Sequence, residues 1–324
     1  MIPMTTIHSK LSLLLDHSAY AVRWLTARPE WSLEIGEMAA SPVSEAVIDG
    51  LLRAALPSQA DQVQSIDDLA ANLRLARQKF MLLIAARDFN GAADVQEVTQ
   101  AMSCFAEKVT AVAIEAIRQD IKPMVGEPLN QHGDYSPMMI VGMGKLGGRE
   151  LNVSSDIDLV FLYEEEGETQ GGSRSISHQE WYTRVGKRLI ALLSELRSEG
   201  FIFRVDMRLR PNGDSGPLVC SLGMLEEYFC VQGREWERYA WIKGRMIYPL
   251  PDMPAYERCQ KGLQDLVRPF VYRRYLDFGV IAAIRELHGQ IQQEAEKRSL
   301  LHPERAADVK LGRGGIREIE FMAQ

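Results

Sequence analysis

The sequence predicts an α/β fold: a helical N-terminal region, a small mixed sheet, and the start of a C-terminal helical domain. Three observations point to it. Apolar residues recur at three-four spacing before residue 120. Apolar runs or strict alternation replace that spacing near residues 138–163 and 201–209, and helical spacing returns beyond Pro254. The 324 residues exceed what one core usually serves, so three regions are expected, at 1–130, 131–250 and 251–324.

Ser65-Ile66-Asp67-Asp68 has the spacing of a capping box and opens a helix to about Arg87, with Leu69, Leu73, Ala76 and Phe80 on one side. A second helix is expected from about Val95 to Asp120, ended by Lys122-Pro123. Residues 123–137 hold three prolines and two glycines and read as a connecting loop. Strands are expected at 138–143, 156–163 and 201–209. Between the last two, residues 178–199 form an amphipathic helix that Gly200 stops. The tract "FGVIAAIRELHGQIQQEAEKR" is helical, and the chain ends at "FMAQ" without a helix-ending signal, which suggests a piece of something longer.

Composition narrows the function. With 46% hydrophobic and 25% charged residues the chain is of ordinary globular type, and no apolar run is long enough for a membrane span. A net charge of −7 argues against broad nucleic-acid binding. Four widely spaced cysteines show no metal-ligand spacing, and no signal-peptide pattern is present, so a cytoplasmic location is expected.

The chemistry concentrates in "GMGKLGGRELNVSSDIDLVFLY", from Gly142 to Tyr163. On a strand, Asp156 and Asp158 share one face while Ile157, Leu159 and Phe161 point into a core. Two adjacent carboxylates repel, and a divalent cation removes that penalty; oxygen-only ligands suit Mg²⁺. Gly147 and Gly148 would let backbone amides approach a phosphate. In "FIFRVDMRLRP", Phe201, Phe203, Val205, Met207 and Leu209 alternate with Arg204, Asp206, Arg208 and Arg210. Asp206 is therefore a third acid for the cation if its strand neighbours that of Asp158, and the arginines suit phosphate.

Bland readings stand beside these. An Asp-x-Asp pair is often a turn or cap, and an arginine-bearing strand is often a solvated sheet face. Gly142-x-Gly144-x-x-Gly147, with Glu164 about 20 residues on, also matches the dinucleotide-binding fingerprint and would make the chain an NAD-dependent oxidoreductase. Only Gly148 to Ser155 separate it from the next strand, too few for a crossover helix. Lys145 does not complete a phosphate-loop pattern. A third reading is a non-catalytic regulatory scaffold.

Gly147-Gly148, then Asp156-x-Asp158, then Asp206 resembles the nucleotidyltransferase superfamily of DNA polymerase β. The strings "FRVDMRLRPNGDSGPLV", "REWERYAWIKGR" and "VKLGRGGIREIEF" closely resemble the bifunctional glutamine synthetase adenylyltransferase/adenylyl-removing family. The resemblance implies a nucleotidyltransferase catalytic domain at 131–250. It implies Mg²⁺ on Asp156, Asp158 and Asp206, and nucleotide phosphates at Gly147 and Gly148, with Arg208 and Arg210 on the attacked or incoming phosphate. Lys310, Arg313 and Arg317 lie beside helix-opening glycines that suit an anion, or form a basic capped turn. Trp236 is core or a stacking platform; Arg238, Lys243 and Arg245 face the cleft or solvate a helix. Implied partners are glutamine synthetase, the PII signal protein, ATP, ADP and inorganic phosphate. Since the chain starts with a helical leader and holds one such unit, the adenylyl-removing half is expected, with adenylylation the alternative.

Overall fold

A computed structural model of the chain describes residues 4–56, 65–272 and isolated positions between 285 and 319. Apart from Arg285, Glu286 and Gly289, the "FGVIAAIRELHG" tract lies outside the described residues, as do Lys310, Arg313 and Arg317. Six helices come first: α1 Met4–His17, α2 Ala19–Ala27, α3 Glu30–Met38, α4 Glu45–Ala55, α5 Ile66–Phe89 and α6 Val95–Val125. Ser65 opens α5 by accepting the Asp68 amide at 3.1 Å, and Asp94 opens α6 by accepting that of Glu97 at 2.7 Å. Leu69, Leu73, Ala76 and Phe80 are all buried.

The expected stop at Pro123 does not occur. α6 runs on to Val125, and Gly126 ends it at φ 69°. The proline lies in the last turn, and the Ser173 amide donates to its carbonyl at 3.1 Å.

The sheet holds β1 Met139–Gly142, β2 Ile157–Tyr163, β3 Val205–Asp206, β4 Val219–Ser221 and β5 Arg245–Tyr248. Its order is β3-β2-β1-β5, with β4 also on β2. β1 runs antiparallel to β2 and β5, whereas β3 and β4 run parallel to β2. Because β1 holds one edge of β2, β3 and β4 share the other. β3 pairs at the start of β2 and β4 at its end, so residues 207–218 loop out between them.

Parallel pairing demands a crossover, and α8, His178–Ser194, supplies it. That helix stops earlier than expected: Glu195 is already extended at ψ 125°, and Gly200, at φ 94°, belongs to the following 197–200 turn. The expected strand at 201–209 shrinks to two residues. Ile202 and Phe203 are both buried, and both amides donate to the Leu193 carbonyl at 2.9 Å, which breaks the alternation.

Both faces of β2 are covered. Ile157, Leu159 and Phe161 join α4, α5, α6 and α8 in one apolar cluster. Val160 and Leu162 join a second cluster with α9 Leu222–Val231, Trp241 of α10 Glu235–Trp241, and α11 Tyr256–Val271. The first cluster crosses residue 130 and the second crosses residue 250.

Candidate active site

β2 and β3 bring the acids together. Their parallel register sets Asp158 opposite Asp206, so both side chains leave the same face of neighbouring strands, about 4.8 Å apart at the backbone. Asp156 lies two residues before Asp158 and just outside β2, where continued alternation would put it on that face. The Ile157 amide donates to the Arg204 carbonyl at 2.9 Å and locks this edge. Asp158 is half-buried although it shares the face of fully buried Val160 and Leu162. The helical cover therefore ends where the carboxylates begin.

The glycine turn sits on this edge. After β1, the Met143 amide donates to the Asp158 carbonyl at 2.9 Å, and a four-residue turn of helix, α7 Gly144–Gly147, follows. Gly144 has φ 54°, and a Cβ there would lie 3.3 Å from Asp158 Oδ2. Gly144 is thus the glycine against the carboxylate, a role the sequence reading missed. Its only signal was the glycine two positions after the strand.

Gly147 and Gly148 differ from expectation. The Gly147 amide donates to the Met143 carbonyl at 3.2 Å and the Gly148 amide to that of Gly144 at 3.0 Å, so both are spent within the turn. A Cβ on Gly147 would fall 1.7 Å from the Lys243 carbonyl oxygen. Gly147 is needed because the chain entering β5 lies directly against it. Arg245 completes this clamp: its guanidinium donates to the carbonyls of Gly147 at 2.9 Å and Leu146 at 3.0 Å and pairs with Glu107 of α6. Arg245 therefore holds the turn and does not face the cleft.

Arginines engage two of the acids. Arg204 pairs with Asp156 and donates to the Ser154 carbonyl at 2.7 Å. Arg208 grips Asp206 through Nε at 2.9 and 3.0 Å, and its amide donates to Asp206 Oδ1 at 2.9 Å. The Arg208 guanidinium holds the Asp206 carboxyl below the usual range. Arg210 turns inward: it donates to the Met207 carbonyl at 2.9 Å and to Asp214 at 3.2 Å, while its Nε is buried without an acceptor. Trp236 is half-buried, Arg238 stacks on Phe270 at 4.3 Å, and Lys243 pairs with Glu150 at 2.8 Å.

Among the described residues, no three acidic, histidine or cysteine side chains converge as a ready metal cage. The donor set still fits a hard cation: two carboxylates on neighbouring strands with a third one turn of the pleat away, all oxygen. The NAD reading fails on topology. β1 and β2 are antiparallel, and residues 143–156 between them hold only the four-residue α7, so no parallel β-α-β unit surrounds the glycine fingerprint.

Residues 9–259 match the family model described as glutamate-ammonia ligase adenylyltransferase, and residues 285–324 match one described as GlnD PII-uridylyltransferase. A Burkholderia pseudomallei protein named bifunctional glutamine synthetase adenylyltransferase/adenylyl-removing enzyme is 54% identical over 322 residues, covering 99% of this chain and 34% of its own length. Proteins of the same name from Ralstonia nicotianae and Shewanella oneidensis are 51% and 42% identical, covering 97% of this chain and 34% and 31% of theirs. The chain thus spans about a third of the length of the curated relatives it matches.

Proposed function

Given that the chain belongs to the glutamate-ammonia ligase adenylyltransferase family, we propose that its β2-β3 edge removes AMP from an adenylylated tyrosine of glutamine synthetase, with inorganic phosphate as acceptor. The in-register pairing of Asp158 with Asp206 beside Gly144 carries this reading. Asp158 and Asp206, joined by Asp156, would hold Mg²⁺, which when bound supplies Lewis-acid stabilisation of charge at the reacting phosphoryl group.

The chain's own side chains do the rest. Arg208 lies on the surface beside the acids, and transferring from Asp206 to a phosphate would free that carboxylate for the cation. Arg210, turned inward onto the Met207 carbonyl and Asp214, would order the loop that carries Arg208. A phosphate oxygen attacks the phosphorus of tyrosyl-AMP, the bond to the tyrosine oxygen breaks, and that oxygen takes the proton carried in by the phosphate. The products are ADP and free tyrosine side chain. Three arginines between residues 204 and 210 support removal, because a free phosphate nucleophile needs cations of its own beside those that bind the nucleotide.

The match of residues 285–324 to a PII-uridylyltransferase model supports a link to the PII signal protein. The test supplies the chain with adenylylated glutamine synthetase, phosphate and Mg²⁺ and assays ADP. ADP formation is expected. Incorporation of AMP from ATP into unmodified glutamine synthetase, without ADP release in the first assay, would reverse the assigned direction.

A further inference from the structure

A second arginine cluster lies away from the acid-bearing edge, between α2, α5 and residues 199–204. Arg74 and Arg77 stand one turn apart on α5. Arg74 is only 4% exposed, and the Nε atoms of both are buried with no hydrogen-bond acceptor. The Arg77 guanidinium lies 5.3 Å over the Phe201 ring and 5.4 Å over that of Phe203, and Arg204 lies 5.6 Å over Phe201. Arg23 of α2 reaches the same corner, 5.9 Å over Tyr20.

The polar neighbours are already committed. Gln78 donates to the Glu199 carbonyl at 2.7 Å and accepts from the Tyr20 hydroxyl. Glu199 lies near Arg74 and Arg197, but it is half-buried and its carboxylate takes a bond from Ser198 Oγ at 2.8 Å. Arg204 already pairs with Asp156.

A buried guanidinium cannot shed its proton, and where its Nε has no acceptor an anion relieves the cost best. Two guanidiniums one turn apart, with Arg77 over the Phe201 and Phe203 rings, suit the oxygens of a tetrahedral anion better than one mobile carboxylate. We propose that Arg74 and Arg77 form an oxyanion site of the phosphate class, distinct from the acid-bearing edge and bordered by Arg23 and Arg204. Arg204 stands between the two, stacked on Phe201 and paired with Asp156.

The test titrates the whole chain calorimetrically with inorganic phosphate and with sulfate, against sodium chloride at matched ionic strength. Saturable binding of phosphate and sulfate is expected. It should weaken about ten-fold or more in Arg74→Met and in Arg77→Met, the scale of a lost charged hydrogen bond. Arg184→Ala, which removes a surface arginine of α8 paired with Glu180 and lies in neither site, should keep it. Thermal unfolding adds an independent readout. Without the anion, Arg74→Met should melt at or above wild type, since it removes an unpaired buried charge. With phosphate, wild type should rise and the variant should not. Binding unchanged in both variants, an equal response to chloride, or Arg74→Met melting well below wild type without anion would each overturn the proposal.

Discussion

Substituting Gly147 by alanine tests how the glycine turn is held. The added Cβ would meet the Lys243 carbonyl oxygen at 1.7 Å and the Gly142 carbonyl oxygen at 2.5 Å. Ordinary contact begins at 3.4 Å, so the Lys243 carbonyl would have to retreat by about 1.7 Å (3.4 less 1.7). Both atoms are backbone, and Arg245 anchors the same segment to α6, so no side-chain rotation relieves the clash. The cost belongs at the upper end of overpacking, about 3 kcal/mol, or about 6–12 °C in Tm for a domain of this size. Gly148→Ala is the internal control. Its nearest neighbours are the tip atoms of the flexible Glu150 side chain at 3.2 to 3.4 Å, so a change within about 0.5 kcal/mol is expected. Urea unfolding of the two variants beside wild type measures both. Equal stability of Gly147→Ala and Gly148→Ala would refute the close approach of residue 243 to the turn.

Three further outcomes are expected. Ser103 Oγ accepts the Leu151 amide at 3.1 Å in a buried setting, so Ser103→Ala should orphan that amide and cost about 1–3 kcal/mol in urea unfolding. Arg87 donates to Glu97 and holds its carboxyl below the ordinary value of 4.5; that contribution is therefore fully present above pH 4.5 and lost as pH falls below it. A stability profile from pH 7 down to pH 3 should show this acid limb in wild type and a flatter one in Glu97→Gln; identical profiles would dismiss the pair. Asp206→Ala should raise the Mg²⁺ concentration for half-maximal rate about ten-fold or more, and an unchanged metal dependence would remove Asp206 from the proposed site.

Much of the sheet edge was legible because strand periodicity fixes faces. The alternation from Ile157 separated core from carboxylate side, and one acid in a later alternating segment pointed to a neighbouring strand. The register Asp158 to Asp206 agrees with that geometry. What escaped depended on distant chain. The tightness at Gly147 comes from Lys243, and the arginine that clamps it lies 98 positions away, which no local pattern encodes. β4 and β5 are three and four residues long, too short for a period, although Gly244 and Pro249 bracket the second. α8 ended before Gly200 because the Leu193 carbonyl was taken by two amides of the returning chain. Arg74 and Arg77 read as ordinary helix positions until α5 was seen to pack beside Phe201 and Phe203.

The central claim is that the carboxylates on the β2-β3 edge carry phosphorolysis of tyrosyl-AMP. Its most direct test is the rate of phosphate-dependent ADP release from adenylylated glutamine synthetase by wild type and by Asp158→Asn, with circular dichroism confirming that both are folded. A residue that binds the cation directly should matter more than an outer-shell partner, whose loss costs about 10–100-fold. Wild type should release ADP in dependence on added Mg²⁺, and Asp158→Asn should lose more than about a hundred-fold of that rate. Equal ADP release by a folded Asp158→Asn chain would contradict the claim.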